Sequence, residues 1–144
     1  MPKGSKIKAI YRVIDANINR LKEGLRVCEE VTRFILDDRR LTSEFKKIRH
    51  KTDSILKYLP KSEEMFEERQ SSRDVGRRLY VNELKRKGCR DIFFANIQRV
   101  KESIRVLEEF TKLINKNAAV RFKELRYAVY GLEKRSAGKI NKIR

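Results

Sequence analysis

Asn17, Arg20 and Glu23 stand at three-residue spacing, and the same residue types return at Asn96, Arg99 and Glu102. On a helix, positions i, i+3 and i+6 form a line along one edge. An edge carrying a carboxamide and a guanidinium suits a phosphorylated ligand, whose oxygens accept charge-assisted hydrogen bonds. These residues belong to two longer copies. From Ala16 and Ala95 onward the offset is constant at 79 residues, and twelve of the twenty positions through Ile35 and Ile114 are identical. No low-complexity bias forces that match, so it is an internal repeat. A repeated helix needs its apolar face to stay packed, but packing alone does not ask for the same Asn and Arg. The rival explanation is structural: Arg20 pairs with Glu23 or caps a neighbouring helix. Gly24, matched by the small Ser103, leaves space beside them for a ligand or for another backbone.

Further candidates lie in SSRDVG, Ser71 to Gly76, the least helix-like segment of the body. Arg73 could hold a phosphate through a bidentate contact. Asp74 could bind Mg2+ or accept a hydroxyl proton, or simply start a turn closed by its glycine. His50 follows Arg49, whereas Tyr127 follows the corresponding Arg126; a lone histidine is more often structural than catalytic. Arg26, Glu29 and Glu30, like Arg105, Glu108 and Glu109, face further from the apolar stripe and read as a solvated, salt-bridged surface. The chain holds no Walker phosphate loop, nucleophile elbow, H-E-x-x-H or protein-kinase signature. Two cysteines at unrelated places and one histidine argue against zinc chemistry and a disulfide framework.

Helices must position these groups. The 144 residues suffice for one domain with a real core. Forty per cent are charged, forty per cent hydrophobic, and only six Gly and two Pro interrupt them, which points to an all-α protein. Ile14, Ile18, Leu21, Leu25, Cys28, Thr32 and Ile35 recur at helical spacing, so one long helix is expected from about Ile10 to Leu36. A second, capped by Thr42 or Ser43, should run to about Leu59 before Pro60. The other copy repeats the plan, with a helix over 91–115 and a last one capped by Asn117. Between them, residues 60–90 form a crossover with short helices beginning at Ser62 and around Leu79–Lys87. The expected architecture is a single domain of two helical hairpins from an internal duplication, repeat 1 over 10–59 and repeat 2 over 91–135. The hairpins are related by a pseudo-two-fold axis, with a basic arm at 1–8 and a loose basic tail at 136–144.

Formal net charge is +17; without the three lysines of 1–8 and the five basic residues of 134–144, the body still carries +9. That favours anionic partners: phosphates, nucleotides, nucleic acid or acidic lipid. No signal peptide and no membrane-spanning stretch is evident, so a cytoplasmic protein is expected.

At these residues the chain resembles a known family. The matching series runs from Ile14-Asp15-Ala16-Asn17 through Glu30, then Ile48-Arg49-His50, then Arg69 or Arg73 ahead of Asp74-Val75-Gly76. It continues with Ala95-Asn96 through Glu109 and ends at Leu125-Arg126-Tyr127. It is similar to the small helical hydroxymethylpyrimidine phosphate kinases, the alternative kinase family of thiamine biosynthesis, often fused to thiamine phosphate synthase. The resemblance covers about residues 9–135; Ser103 departs from the usual alanine. It implies ATP-dependent phosphorylation of 4-amino-5-hydroxymethyl-2-methylpyrimidine phosphate to the diphosphate, with Mg2+. In that setting Arg20, Arg99, Arg49 and Arg126, with His50 and Arg73, would bind phosphates or substrate. Asn17 and Asn96 would orient pyrimidine or phosphate oxygens. Asp74, with Glu23 or Glu102, would hold Mg2+ or act as base. Thiamine phosphate synthase is an implied partner, and a homodimer is compatible. The chain is too short for a synthase barrel, which needs on the order of 200 residues.

The rivals are a non-catalytic phosphate- or nucleotide-binding regulatory module and a basic nucleic-acid-binding helical protein. Against the latter, charge is mixed along both long helices, and aromatics are not interleaved with Arg and Lys as single-strand platforms require.

Overall fold

The computed structural model describes residues 4–60, 62–78 and 84–143. Among them the chain is all-α. Helix α1 spans Ser5–Glu30 and continues as a π-helical turn, Val31–Ile35. Helix α2 covers Arg39–Leu56, α3 Ser62–Glu67, α4 Cys89–Thr111 and α5 Lys116–Ile140, with a short 3-10 turn at Ser71–Arg73. The expected Ser62 side-chain cap and the expected helix over 79–83 lie outside the described residues, and Lys85–Lys87 are not helical.

Helix α1 packs most extensively on α4, α5 packs on α4 and α2, and α2 also packs on α1, which makes a four-helix bundle. The pairing is antiparallel. Cys28 approaches the Phe93 carbonyl near one end, while Val13 and Asn17 share a cleft with Val106 and Phe110 near the other. The anticipated stripe closes the core except at Ile35, which is exposed in the π-turn: Ile14, Leu21 and Leu25 are fully buried with Ile97, Ile104 and Leu107 from α4, and Phe45 meets Phe93 edge-on at 6.0 Å.

Gly24 lies at the α1–α4 crossing. A Cβ there would stand 2.8 Å from Val100 Cγ2 and 3.1 Å from the Asn96 carbonyl oxygen. Of the two explanations for the small residue, close backbone approach is the one observed. Gly24→Leu should therefore overpack the crossing and lower unfolding free energy by about 3 kcal/mol in urea titration, despite a helix-propensity gain of about 1 kcal/mol.

The helix ends differ from expectation in an informative way. Asp38, not Thr42 or Ser43, caps α2: its Oδ1 accepts the Leu41 amide at 2.9 Å. Asn115, not Asn117, caps α5 by accepting the Ala118 amide at 3.1 Å. Each helix thus starts earlier than the apolar pattern showed, because a cap depends on a side chain reaching a free amide, not on the first apolar residue. Asp37 takes a left-handed conformation (φ 51°), and the Asp38 amide donates to the Thr32 carbonyl at 2.9 Å, closing the π-turn.

Neither terminus is as loose as its composition suggests. Lys6 and Lys8 ride on α1 rather than on a free arm. Helix α5 extends through Ser136 and Ile140, both fully buried, and Lys139 pairs with Asp38. The amide hydrogen bond from Leu41, then Lys139, hold the Asp38 carboxyl below its usual range. A depressed folded-state value adds stability above the unfolded-state value and loses it as pH falls through the folded one. Asp38→Ala should cost about 1 kcal/mol at neutral pH, with the difference from the parent shrinking below about pH 4.

Candidate functional site

Two clefts lie along α1 beside its core stripe, separated by one ion pair. Asp15, buried on α1, accepts two hydrogen bonds from Arg69: Nε to Oδ2 and Nη2 to Oδ1, both at 2.8 Å. This bidentate contact ties the crossover to α1 across 54 positions of sequence. Asp15 hydrogen-bonding also keeps the Arg69 guanidinium more basic than usual, and that guanidinium lies 4.7 Å over the Phe66 ring.

On one side of the ion pair is a polar cleft of about 930 Å³, between α1, the end of α4 and the crossover. It is lined by Asn17, Arg20 and Glu23, the three residues at three-residue spacing, with Arg12 beside them and Asp74 facing them from the crossover. Val106 and Phe110 of α4 supply an apolar wall. The Asn17 carboxamide donates to the Val13 carbonyl at 2.8 Å and accepts from Arg20 Nη1 at 3.5 Å. Arg20 and Glu23 are otherwise exposed and turned to the cleft. Asp74 is exposed; its Oδ1 accepts the Gly76 amide at 2.8 Å, the Asp-initiated turn, and so leaves Oδ2 available. On the other side lies a second cleft of about 760 Å³, with Ile18, Leu56, Leu59, Met65 and Phe66 on its wall and Lys22, Asp53, Lys57, Glu63 and Glu67 also lining it.

The second line of residues is placed differently. Asn96 repeats the Asn17 geometry, donating to the Ile92 carbonyl at 2.8 Å. Arg99 and Glu102 are exposed on α4, and Glu102 accepts from Gln98 at 3.0 Å. None of the three lines either α1 cleft. Arg73 and His50 are exposed and line neither cleft.

Arg49 and Arg126 are engaged inside the bundle. Arg49 Nε meets Glu29 Oε1 at 2.7 Å, and Arg126 Nε meets Glu108 Oε2 at 2.9 Å. Arg26 and Arg105 add contacts of 3.5 and 3.4 Å to the same carboxylates. Glu29 and Glu108 are buried, a correction to the solvated surface expected of them. Helical periodicity placed them off the stripe correctly. It could not show that α2 and α5 fold over that flank and bring a guanidinium to each acid.

Sequence reasoning also left Asp15 unassigned. The available signal was divergence: position 94, 79 residues on, holds Phe94, so the carboxylate belongs to one copy only. Cys28 is buried beside Phe93, and desolvation pushes its thiol far up, which leaves it unreactive at neutral pH. Among the described residues no three His, Cys, Asp or Glu side chains gather as a metal cage. Asp74 and Glu23 in one cleft nonetheless fit a Mg2+ ion carried on phosphates, which needs only one or two protein carboxylates. No described helix is long and apolar enough to cross a membrane.

Residues 12–135 match the model of the ThiD2 family. A thiamine-phosphate synthase from Nostoc punctiforme is 37% identical over 132 residues, which is 91% of this chain and 36% of that protein. One from Synechocystis is 40% identical over 126 residues, 87% of this chain and 35% of that protein. One from Thermosynechococcus vestitus is 38% identical over 125 residues, 86% and 34% respectively. The chain thus spans about a third of the length of these relatives. No solved structure matches it. With nearly its whole length matched, ahead of any question of which reaction it runs, the chain belongs to the ThiD2 family of thiamine biosynthesis.

Proposed function

We propose that the chain is an ATP-dependent phosphomethylpyrimidine kinase, converting 4-amino-5-hydroxymethyl-2-methylpyrimidine phosphate to its diphosphate. The observation that carries this reading is the polar cleft, where Arg20, Arg12 and Asn17 face Asp74 and Glu23. Phosphoryl transfer rests mainly on positioning and charge neutralisation, with little covalent work for the protein. Beyond the Asp15–Arg69 pair, the two guanidinium groups of Arg12 and Arg20 and the two carboxylates of Glu23 and Asp74 supply both halves of that task. The arginines would neutralise phosphate oxygens, and Asp74 and Glu23 would hold Mg2+, which would add charge neutralisation of the nucleotide phosphates.

The acceptor is a phosphate monoester, whose second ionisation lies near pH 6. At neutral pH its attacking oxygen is already an anion. A general base has little to remove, so Asp74 and Glu23 serve the metal rather than proton transfer. As the oxygen bonds to the γ-phosphorus, the bond to the β–γ bridging oxygen breaks and ADP leaves. The Asp15–Arg69 pair positions the crossover, and with it Asp74, against α1. Thiamine phosphate synthase, which joins the pyrimidine diphosphate to its thiazole partner, is the consumer this reading implies.

The test is a coupled assay of ADP release and diphosphate formation with ATP, Mg2+ and the pyrimidine phosphate. Diphosphate is expected from the parent chain, and Asp74→Ala should reduce its formation by about 100-fold or more. Ligand binding without turnover would instead assign the chain a binding or regulatory role beside a thiamine enzyme.

A further inference from the structure

The second cleft, beyond Arg69, shares three residues with the polar one: Asp15, Asn19 and Arg69. Two of the three are committed to each other, since Arg69 occupies both Asp15 oxygens. Asn19 is half-buried, and among the described residues its carboxamide has no hydrogen-bond partner. Two polar neighbours on α1 are engaged. Asn17 bonds Val13 and Arg20, and Lys22 meets Asp53 at 3.2 Å at the rim. Asn19 is also one of the positions where the two copies differ. Its counterpart Gln98 is exposed and bonded to Glu102.

We infer that Asn19 binds the 4-aminopyrimidine edge of the ligand, with the ring in the second cleft against Ile18, Leu59, Met65 and Phe66 and its phosphate reaching the polar one. This inference rests on the kinase reading and deepens it. Such an edge presents an exocyclic N–H donor next to a ring-nitrogen acceptor. A carboxamide presents the complement, Oδ1 to accept and Nδ2 to donate, the bidentate pairing by which Asn reads adenine. Ile18, Leu59, Met65 and Phe66 offer the ring an apolar bed of the kind small-molecule sites use. Arg20, the next residue along α1, faces the polar cleft, where the attached phosphate would lie. The same edge occurs on the substrate pyrimidine and on the adenine of ATP, so the chemistry is shared between two sources.

Isothermal titration separates them without requiring turnover. The ligands are the aminopyrimidine phosphate and Mg·ADP. The proteins are the parent chain, Asn19→Leu, which removes the edge-reading amide, and Asn19→Asp, which keeps size but loses the donor. Both variants should weaken the aminopyrimidine phosphate by about 10- to 100-fold and leave Mg·ADP unchanged. A loss confined to Mg·ADP would keep edge recognition by Asn19 but make adenine its source. Unchanged affinity for both ligands, with the parent still making diphosphate, overturns the role of Asn19 and leaves the kinase standing. A parent chain that binds neither ligand overturns both.

Discussion

Arg20→Ala is expected to lower diphosphate formation by about 100- to 1,000-fold, the loss typical when one preorganised charge donor is removed from a transition state. Its unfolding free energy should stay within about 0.5 kcal/mol of the parent, as for other exposed positions. Arg20 is exposed, and its one side-chain hydrogen bond, to Asn17, is long at 3.5 Å. Little in the fold depends on it, so a large kinetic effect without a stability effect would mark it as a phosphate-binding group. Arg99→Ala is the matched control. Arg99 holds the equivalent place on α4 but lines neither α1 cleft. Its turnover should remain within about two-fold of the parent, below the roughly 1 kcal/mol expected of a real contact. Equal losses in the two variants would mean that both copies carry a working site or that one shared site draws on both.

Arg49→Met should be the most destabilising of these single changes, by about 3–5 kcal/mol in urea titration. Glu29 is only 1% exposed at its side chain, and Arg49 makes two hydrogen bonds to it, at 2.7 and 3.2 Å. Removing the guanidinium strands a desolvated carboxylate that only Arg26, half-exposed and 3.5 Å away, can still reach. Arg126→Met should do the same to Glu108. The double change Glu29→Leu/Arg49→Met ought to recover most of the loss, because an apolar pair removes the stranded charge. If the single change instead left stability untouched and reduced only turnover, Arg49 would be a substrate contact, as its place in the resemblance implies, and its bond to Glu29 incidental.

The contrast between Arg20 and Arg49 shows how far one-dimensional reading reaches. Both recur in the second copy, and the resemblance implied a phosphate-binding role for both. Periodicity placed Arg20 on one edge of its helix. It carried no information on which neighbouring helix would cover either side chain. Arg49 meets a buried acid twenty positions away, and Arg20 meets open space. The line Asn17–Arg20–Glu23 was legible because it is local to one helix. Asp74 joins it through a crossover whose anchor, Arg69 on Asp15, spans 54 positions.

Gly24 and Asp38 show the same division at smaller scale. A small residue in a helix announces close approach, but only the α1–α4 crossing shows that Val100 and the Asn96 carbonyl, not a ligand, are what approaches. Capping chemistry was expected at the start of α2, and the residue that supplies it was settled by where Asp37 turns the chain.

By itself, the sequence determined the all-α class, the long amphipathic helices, the repeated polar line and the family, because each is written in short-range periodicity or in an ordered series of motifs. Only the tertiary structure decided which arginines are bound within the fold, which of the repeated lines borders the α1 clefts, and that Asn19 stands between them with no hydrogen-bond partner for its amide among the described residues. Those depend on contacts between residues far apart in the chain, where burial and partner geometry, rather than residue type, set what a polar side chain can do.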